Sequence, residues 1–159
     1  MPTERSCGEC EACCTILGVA EIGKNPWQPC NHQGKGCTIY PTRPETCQKF
    51  QCIWLWDQEA KLMQEKDRPD KCGVMCVAGS TDSAFFKETQ IPVMVLYECV
   101  PGAFEMYHGD RLVRRLRSKH VMALLPYGTQ SQKGDPRRMV GPPRLMRGIN
   151  AWLAAKGKL

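Results

Sequence analysis

The stretch "CGECEACC", residues 7–14, places four cysteines, Cys7, Cys10, Cys13 and Cys14, in eight positions. Four more follow in "PCNHQGKGCTIYPTRPETCQKFQC", residues 29–52, at Cys30, Cys37, Cys47 and Cys52. The chain holds eleven cysteines among 159 residues, an odd total that suits a disulfide set poorly. "MPTERSCGEC" carries Glu4, Arg5 and Glu9 and lacks the apolar run of a secretory signal, so a cytoplasmic location with reduced thiols is expected. No uninterrupted apolar stretch of about 18 residues is present to span a bilayer, and no membrane partner is expected. Crowded thiols in a reducing compartment point to metal.

Spacing supports that reading. Wound as a helix from Cys7, the thiols of Cys10, Cys13 and Cys14 fall at roughly 300°, 240° and 340°, so all four share about a third of the circumference. A cation relieves the mutual repulsion of such a strip. C-x2-C is a common metal-ligand spacing, and C-x2-C-x2-C also opens bacterial ferredoxin clusters. Adjacent Cys13 and Cys14 diverge by about 100° on a helix, so they are expected to serve different ions or to bridge two metals. Cys47 and Cys52 lie about 140° apart on a helix and reach one ion only if the helix breaks between them. The eight cysteines Cys7, Cys10, Cys13, Cys14, Cys30, Cys37, Cys47 and Cys52 suffice for two four-thiolate sites, and more than one metal ion per chain is expected. His32 is a further candidate ligand. Four-thiolate sites accept zinc and iron alike, so Zn2+, iron and an iron–sulfur cluster all remain open.

The pattern C-x2-C-x2-CC, followed by Cys30, "GCTIYPTRPETC" (36–47) and "FQCIW" (50–54), resembles the YkgJ-type cysteine-cluster family, a zinc- or iron-chelating CxxCxxCC domain. The matching positions include Cys37, Tyr40, Arg43, Pro44, Cys47, Phe50 and Cys52. "RPDKCGV" (68–74) and "YECVPGAF" (97–104) are similar to a longer form of that family. The resemblance implies metal chelation and no particular reaction.

The remaining cysteines read as packing residues. Cys72 and Cys76 in "CGVMC" would share a strand face about 13 Å apart, too far for one ion, and Cys99 sits in an apolar run. Trp54 and Trp56 are expected to cover the cluster or the core. Arg43 either offsets thiolate charge or fixes the start of the following helix. The three histidines are scattered, and no phosphate-binding loop, nucleophile elbow or H-E-x-x-H occurs, so an enzyme is not favoured.

Charge divides the chain. Residues 1–110 carry a balance of −5 and residues 111–159 one of +11. The basic third is either a solvated face and tail or a surface for nucleic acid or an acidic protein. Three functions therefore compete: a metal-binding protein, an iron-dependent redox or protein-modifying enzyme, and a metal-scaffolded adaptor acting through residues 111–159.

The expected fold is a small α+β domain with a metal-stapled N-terminal half, a few antiparallel strands and a C-terminal helix. Its divisions are 1–125 as the cysteine-cluster domain, 126–143 as loop or linker, and 144–159 as an amphipathic helix packed on the body. A helix is expected from Pro44 to about Lys66, with room for a break, and strands are expected within "RPDKCGVMCVAG", "IPVMVLYECV" and "HVMALLPYG". Asp110 is expected to cap a short helix that presents Leu112, Val113 and Leu116.

Overall fold

A computed structural model describes residues 4–59, 61–129 and 138–158. The fold is α+β. Strands β1 (Val74–Ala78), β2 (Val93–Glu98), β3 (Val121–Leu125) and β4 (Arg138–Val140) form one sheet in the order β1-β2-β3-β4. β1 pairs antiparallel with β2, from Val74 opposite Glu98 to Ala78 opposite Met94, and β4 pairs antiparallel with β3. The central pair differs from the antiparallel expectation: β2 and β3 run parallel, Val93 opposite Val121. A parallel pair needs a crossover longer than a hairpin turn, and the helix Tyr107–Arg117 lies on that connection.

β3 is buried along its whole length, which explains why "VMALL" shows no polar alternation. β2 alternates half-buried and buried residues. The core gathers Leu96, Met122, Leu124 and Cys76 of the sheet with Leu112 and Leu116 of the crossover helix and Ile53, Trp54 and Leu55 from the N-terminal half. At Gly109 the crossover helix meets the preceding loop so closely that a Cβ would stand 1.9 Å from the Ala103 carbonyl oxygen.

Seven α-helices occur among the described residues: α1 (Ala12–Ile16), α2 (Glu45–Lys49), α3 (Ile53–Trp56), α4 (Pro69–Cys72), α5 (Ala84–Thr89), α6 (Tyr107–Arg117) and α7 (Pro143–Ala155). The helix expected over 44–66 is broken: α2 stops before Phe50, and the chain is extended at Phe50 and Cys52 before α3 begins. The burial pattern gives the reason. Ile53, Trp54 and Leu55 are all buried, and three consecutive residues about 100° apart cannot share the single stripe of a long amphipathic helix.

Asp110 is not the cap of α6. It lies within the first turn and pairs with Arg114 at 2.8 Å. Leu112 and Leu116 are buried as expected, with Val113 partly so. The expected linker 126–143 contains β4 at 138–140, while residues 130–137 lie outside the described residues. Along α7, Ile149 is fully buried and Trp152 donates to Glu88 of α5 at 2.8 Å, which docks the helix on the body. Among the described residues no helix is long and apolar enough to cross a membrane.

Candidate metal centre

α1 is too short to carry all four leading thiols. Cys7 and Cys10 lie before it in a turn, with the Cys10 N–H donating to the Cys7 carbonyl at 2.9 Å and Gly8 at φ +52°. Cys13 and Cys14 lie on α1 itself. The continuous helical strip is thus replaced by a turn followed by a helix.

The intervening loop folds back onto this pair of segments. Cys30 N–H donates to the Cys14 carbonyl at 3.1 Å, and Trp27 N–H to Ile16 at 3.3 Å. Glu11, inside the first motif, accepts from Gln33 Nε2 at 2.5 Å and from Gly36 N–H at 2.9 Å. Those two bonds hold its carboxyl below the ordinary range, the Gln33 bond contributing most. Gly36 is pressed so tightly on the first turn that a Cβ would lie 2.4 Å from the Gly8 carbonyl oxygen. Glu21 then accepts the Thr46 N–H at 2.9 Å, fastening the start of α2.

The result is one cavity of about 280 Å³ whose wall includes all eight predicted cysteines, Cys7, Cys10, Cys13, Cys14, Cys30, Cys37, Cys47 and Cys52. Leu17, Val19, Ile39, Phe50 and Leu55 supply apolar lining, and Lys24, His32 and Arg43 reach it too. The break between α2 and α3 removes the angular conflict between Cys47 and Cys52, and both face the same space. Cys72, Cys76 and Cys99 do not line it. Cys76 is on β1, but Cys72 ends α4 instead of sharing the strand, with its Sγ 3.3 Å from the Asp67 carbonyl. Trp54 is buried, whereas Trp56 is 68% exposed and covers neither cluster nor core.

Electrostatics distinguish the thiols. The interaction between the neighbouring Cys13 and Cys14 thiols holds Cys14 down to about 7 and pushes Cys13 up. Burial raises Cys10, Cys47 and Cys52. Lys24 Nζ donates to the carbonyls of Thr15 (3.2 Å), Leu17 and Asn25 (3.2 Å). Its partial burial lowers its own pKa, opposed by Cys30, Cys14, Cys13 and Cys47. Arg43 stacks 3.9 Å over Tyr40 and favours the Cys14 thiolate. Lys24, Glu11 and Gly36 are not evident from ligand spacing. Their one sequence signal is position, inside or directly beside a cysteine motif.

The donor chemistry fits a thiophilic metal, since soft thiolates select zinc and iron–sulfur centres. Among the described residues no three His, Cys, Asp or Glu side chains converge on a single ion position. The thiols stand around the wall of the cavity. A tetrahedral zinc site holds each sulfur at about 2.3 Å, so one ion cannot gather eight thiols spread around a cavity of this size.

In the basic third, Arg114, Arg115 and Lys156 are paired within the chain to Asp110, Asp67 and Glu88. No protein-family model, curated protein or solved structure matches the chain.

Proposed function

We propose that this chain is a cytoplasmic metal-binding protein that holds zinc or iron, including an iron–sulfur cluster, through clustered cysteine thiolates, with more than one metal ion per chain. The observation that carries the reading is the gathering of eight thiols onto the wall of one largely apolar cavity. Those thiols come from the 7–10 turn, α1, the long loop, α2 and the start of α3, segments far apart in sequence. Eight half-buried thiols around one space repel one another once ionised, whereas a bound cation would neutralise them and staple the segments together. Lys24 and Arg43 support the reading, because four thiolates on one divalent ion leave a net −2 to be balanced. The cysteine motif's likeness to the YkgJ-type family favours the same conclusion.

When bound, zinc would supply structural cross-linking, and iron would add electron transfer. The chain's own residues position the thiols: Glu11 holds the 33–36 loop, Glu21 holds α2, and Lys24 ties three carbonyls beside the cavity. The test is purification without oxygen, followed by elemental analysis and an optical spectrum. Iron gives a brown preparation and zinc a colourless one, with more than one equivalent of metal per chain in either case. A chain that carries no metal, takes up none after supplementation and melts unchanged in the presence of a chelator would refute the proposal.

A further inference from the structure

Resting on the metal-binding reading above, we propose that the eight thiols divide into two four-thiolate sites, Cys7, Cys10, Cys13 and Cys52 in one and Cys14, Cys30, Cys37 and Cys47 in the other, with α1 as their common wall. The first set is built against the core. Cys7 and Cys52 both pack on the buried hydrophobic cluster, and the Cys10 N–H to Cys7 carbonyl bond brings the two leading thiols around one turn. Proximity links this set internally: Cys10 feels the charge of Cys52, Cys52 that of Cys7, and Cys13 those of Cys7 and Cys10.

The second set is built on the loop. The Cys30 N–H to Cys14 carbonyl bond ties its first two members. Gln33 N–H donates to the Cys30 carbonyl at 3.0 Å and Gln33 bridges to Cys37, which places Cys37 beside them. Cys47 of α2 completes the group: the thiols acting most on it are Cys14, Cys30 and Cys37, all from this set. Adjacent side chains on α1 leave the helix about 100° apart, so Cys13 and Cys14 face opposite sets while remaining chain neighbours at the seam.

Each set has its own nearby cation. Lys24 acts on Cys30, Cys14, Cys13 and Cys47, three of them in the second set. Arg68, pinned to Asp70 at 2.6 Å, acts on Cys10. Four ligands apiece match the tetrahedral preference of zinc, so the eight thiols are consumed without remainder.

The test uses zinc and the full chain. Wild type is expected to bind two zinc ions. Cys10→Ser/Cys52→Ser, both in the first set, should retain one ion and shield Cys14, Cys30, Cys37 and Cys47 from alkylation. Cys37→Ser/Cys52→Ser, one from each set, should retain neither tightly. Because a double variant can misfold, the unaltered chain is also half-loaded, and the species carrying a single zinc is selected by native mass and alkylated. Its four shielded thiols, mapped by peptide mass, should belong to one set. Shielding that mixes the sets, or eight thiols shielded together by one polynuclear centre, overturns the partition while leaving metal binding intact. A wild-type chain that takes up no zinc overturns the partition, and one that takes up neither zinc nor iron overturns the metal reading as well.

Discussion

Gly36→Ala tests whether the cavity depends on the loop being pressed against the first cysteine turn. Gly36 has φ +102°, a conformation that L side chains rarely adopt, and its neighbour is backbone: the Gly8 carbonyl oxygen would stand 2.4 Å from the new Cβ. Neither partner is a flexible side chain able to swing aside. The backbone conformation costs about 1–3 kcal/mol, and forced overpacking typically costs about 1–3 kcal/mol more. A combined loss near 3 kcal/mol lowers the melting temperature of a domain this size by roughly 6–12 °C. The damage should also be directional. Parting Gly36 from Gly8 moves Cys37 away from the segment bearing Cys7 and Cys10 and breaks the Gly36 N–H bond to Glu11. Metal should therefore pass to a chromogenic chelator faster than from wild type. Gly34→Ala is the control, since its Cβ would meet only the Thr38 methyl at 3.4 Å. If Gly36→Ala melts and releases metal like wild type, the close approach does not hold the cavity together.

Single changes of Cys7, Cys10, Cys13 or Cys14 to Ser should lower bound metal and melting temperature together, because metal-binding energy in such a site is folding energy; elemental analysis beside calorimetry checks this. Cys72→Ala and Cys99→Ala, both outside the cavity, should leave metal stoichiometry intact and cost about 1–2 kcal/mol of packing by denaturant titration. Burial pushes the Cys72 thiol from 9.0 up to about 12. The unfolded chain then sheds that proton above pH 9 while the folded chain keeps it, so stability falls between pH 9 and 12, by about 2 kcal/mol at pH 10.5 from this group. Comparing wild type with Cys72→Ala at pH 8 and pH 10.5 should show a flatter loss in the variant. Asp57→Ala should cost about 2–4 kcal/mol by denaturant titration, since it strands the Leu62 and Met63 N–H donors and the buried Arg5 charge.

The sequence was most legible where one short pattern carried the whole signal. The apolar runs at 93–98 and 121–125 are strands, and the 3.6-residue spacing of Leu145, Ile149 and Trp152 is a helix. The α+β class follows from them. The direction of the central pair was not legible, because "VMALL" reads the same in either orientation and only the placement of α6 between β2 and β3 decides it. The 44–66 segment misled for a related reason. Its Pro44–Glu45 start is a true helix signal, but the burial of Ile53, Trp54 and Leu55 against the rest of the molecule overrides local propensity after Lys49. The gathering of eight cysteines in one place depends on long-range bonds to Glu11 and Glu21 and on the hold of Lys24 on the Thr15 and Leu17 carbonyls, which no spacing rule registers.

The N-terminal segment is also coupled to the rest of the fold, and that coupling bears on what metal would do. Arg5 donates to the carbonyls of Trp54 at 2.8 Å and Met63 at 2.6 Å, lies 3.6 Å from Asp57, and stacks 4.9 Å from the Trp54 ring. Two residues later Cys7 packs on the core, as does Cys52 immediately before α3. Ile53, Trp54 and Leu55 of α3 belong to the same buried cluster as the sheet residues Val74 and Cys76. The first set of thiols is therefore held partly by packing that needs no ion, whereas the second set hangs on a loop fastened by a few hydrogen bonds and a single close approach. Removing metal should leave the sheet, α6 and α3 in place and loosen residues 17–43 first, because those residues contribute little to the core beyond Val19. Amide exchange on the metal-free chain would read this directly. Fast exchange confined to the loop supports a metal-ordered lobe on a self-sufficient body. Uniform acceleration through β2 and β3 would mean instead that the whole domain folds only around its metal.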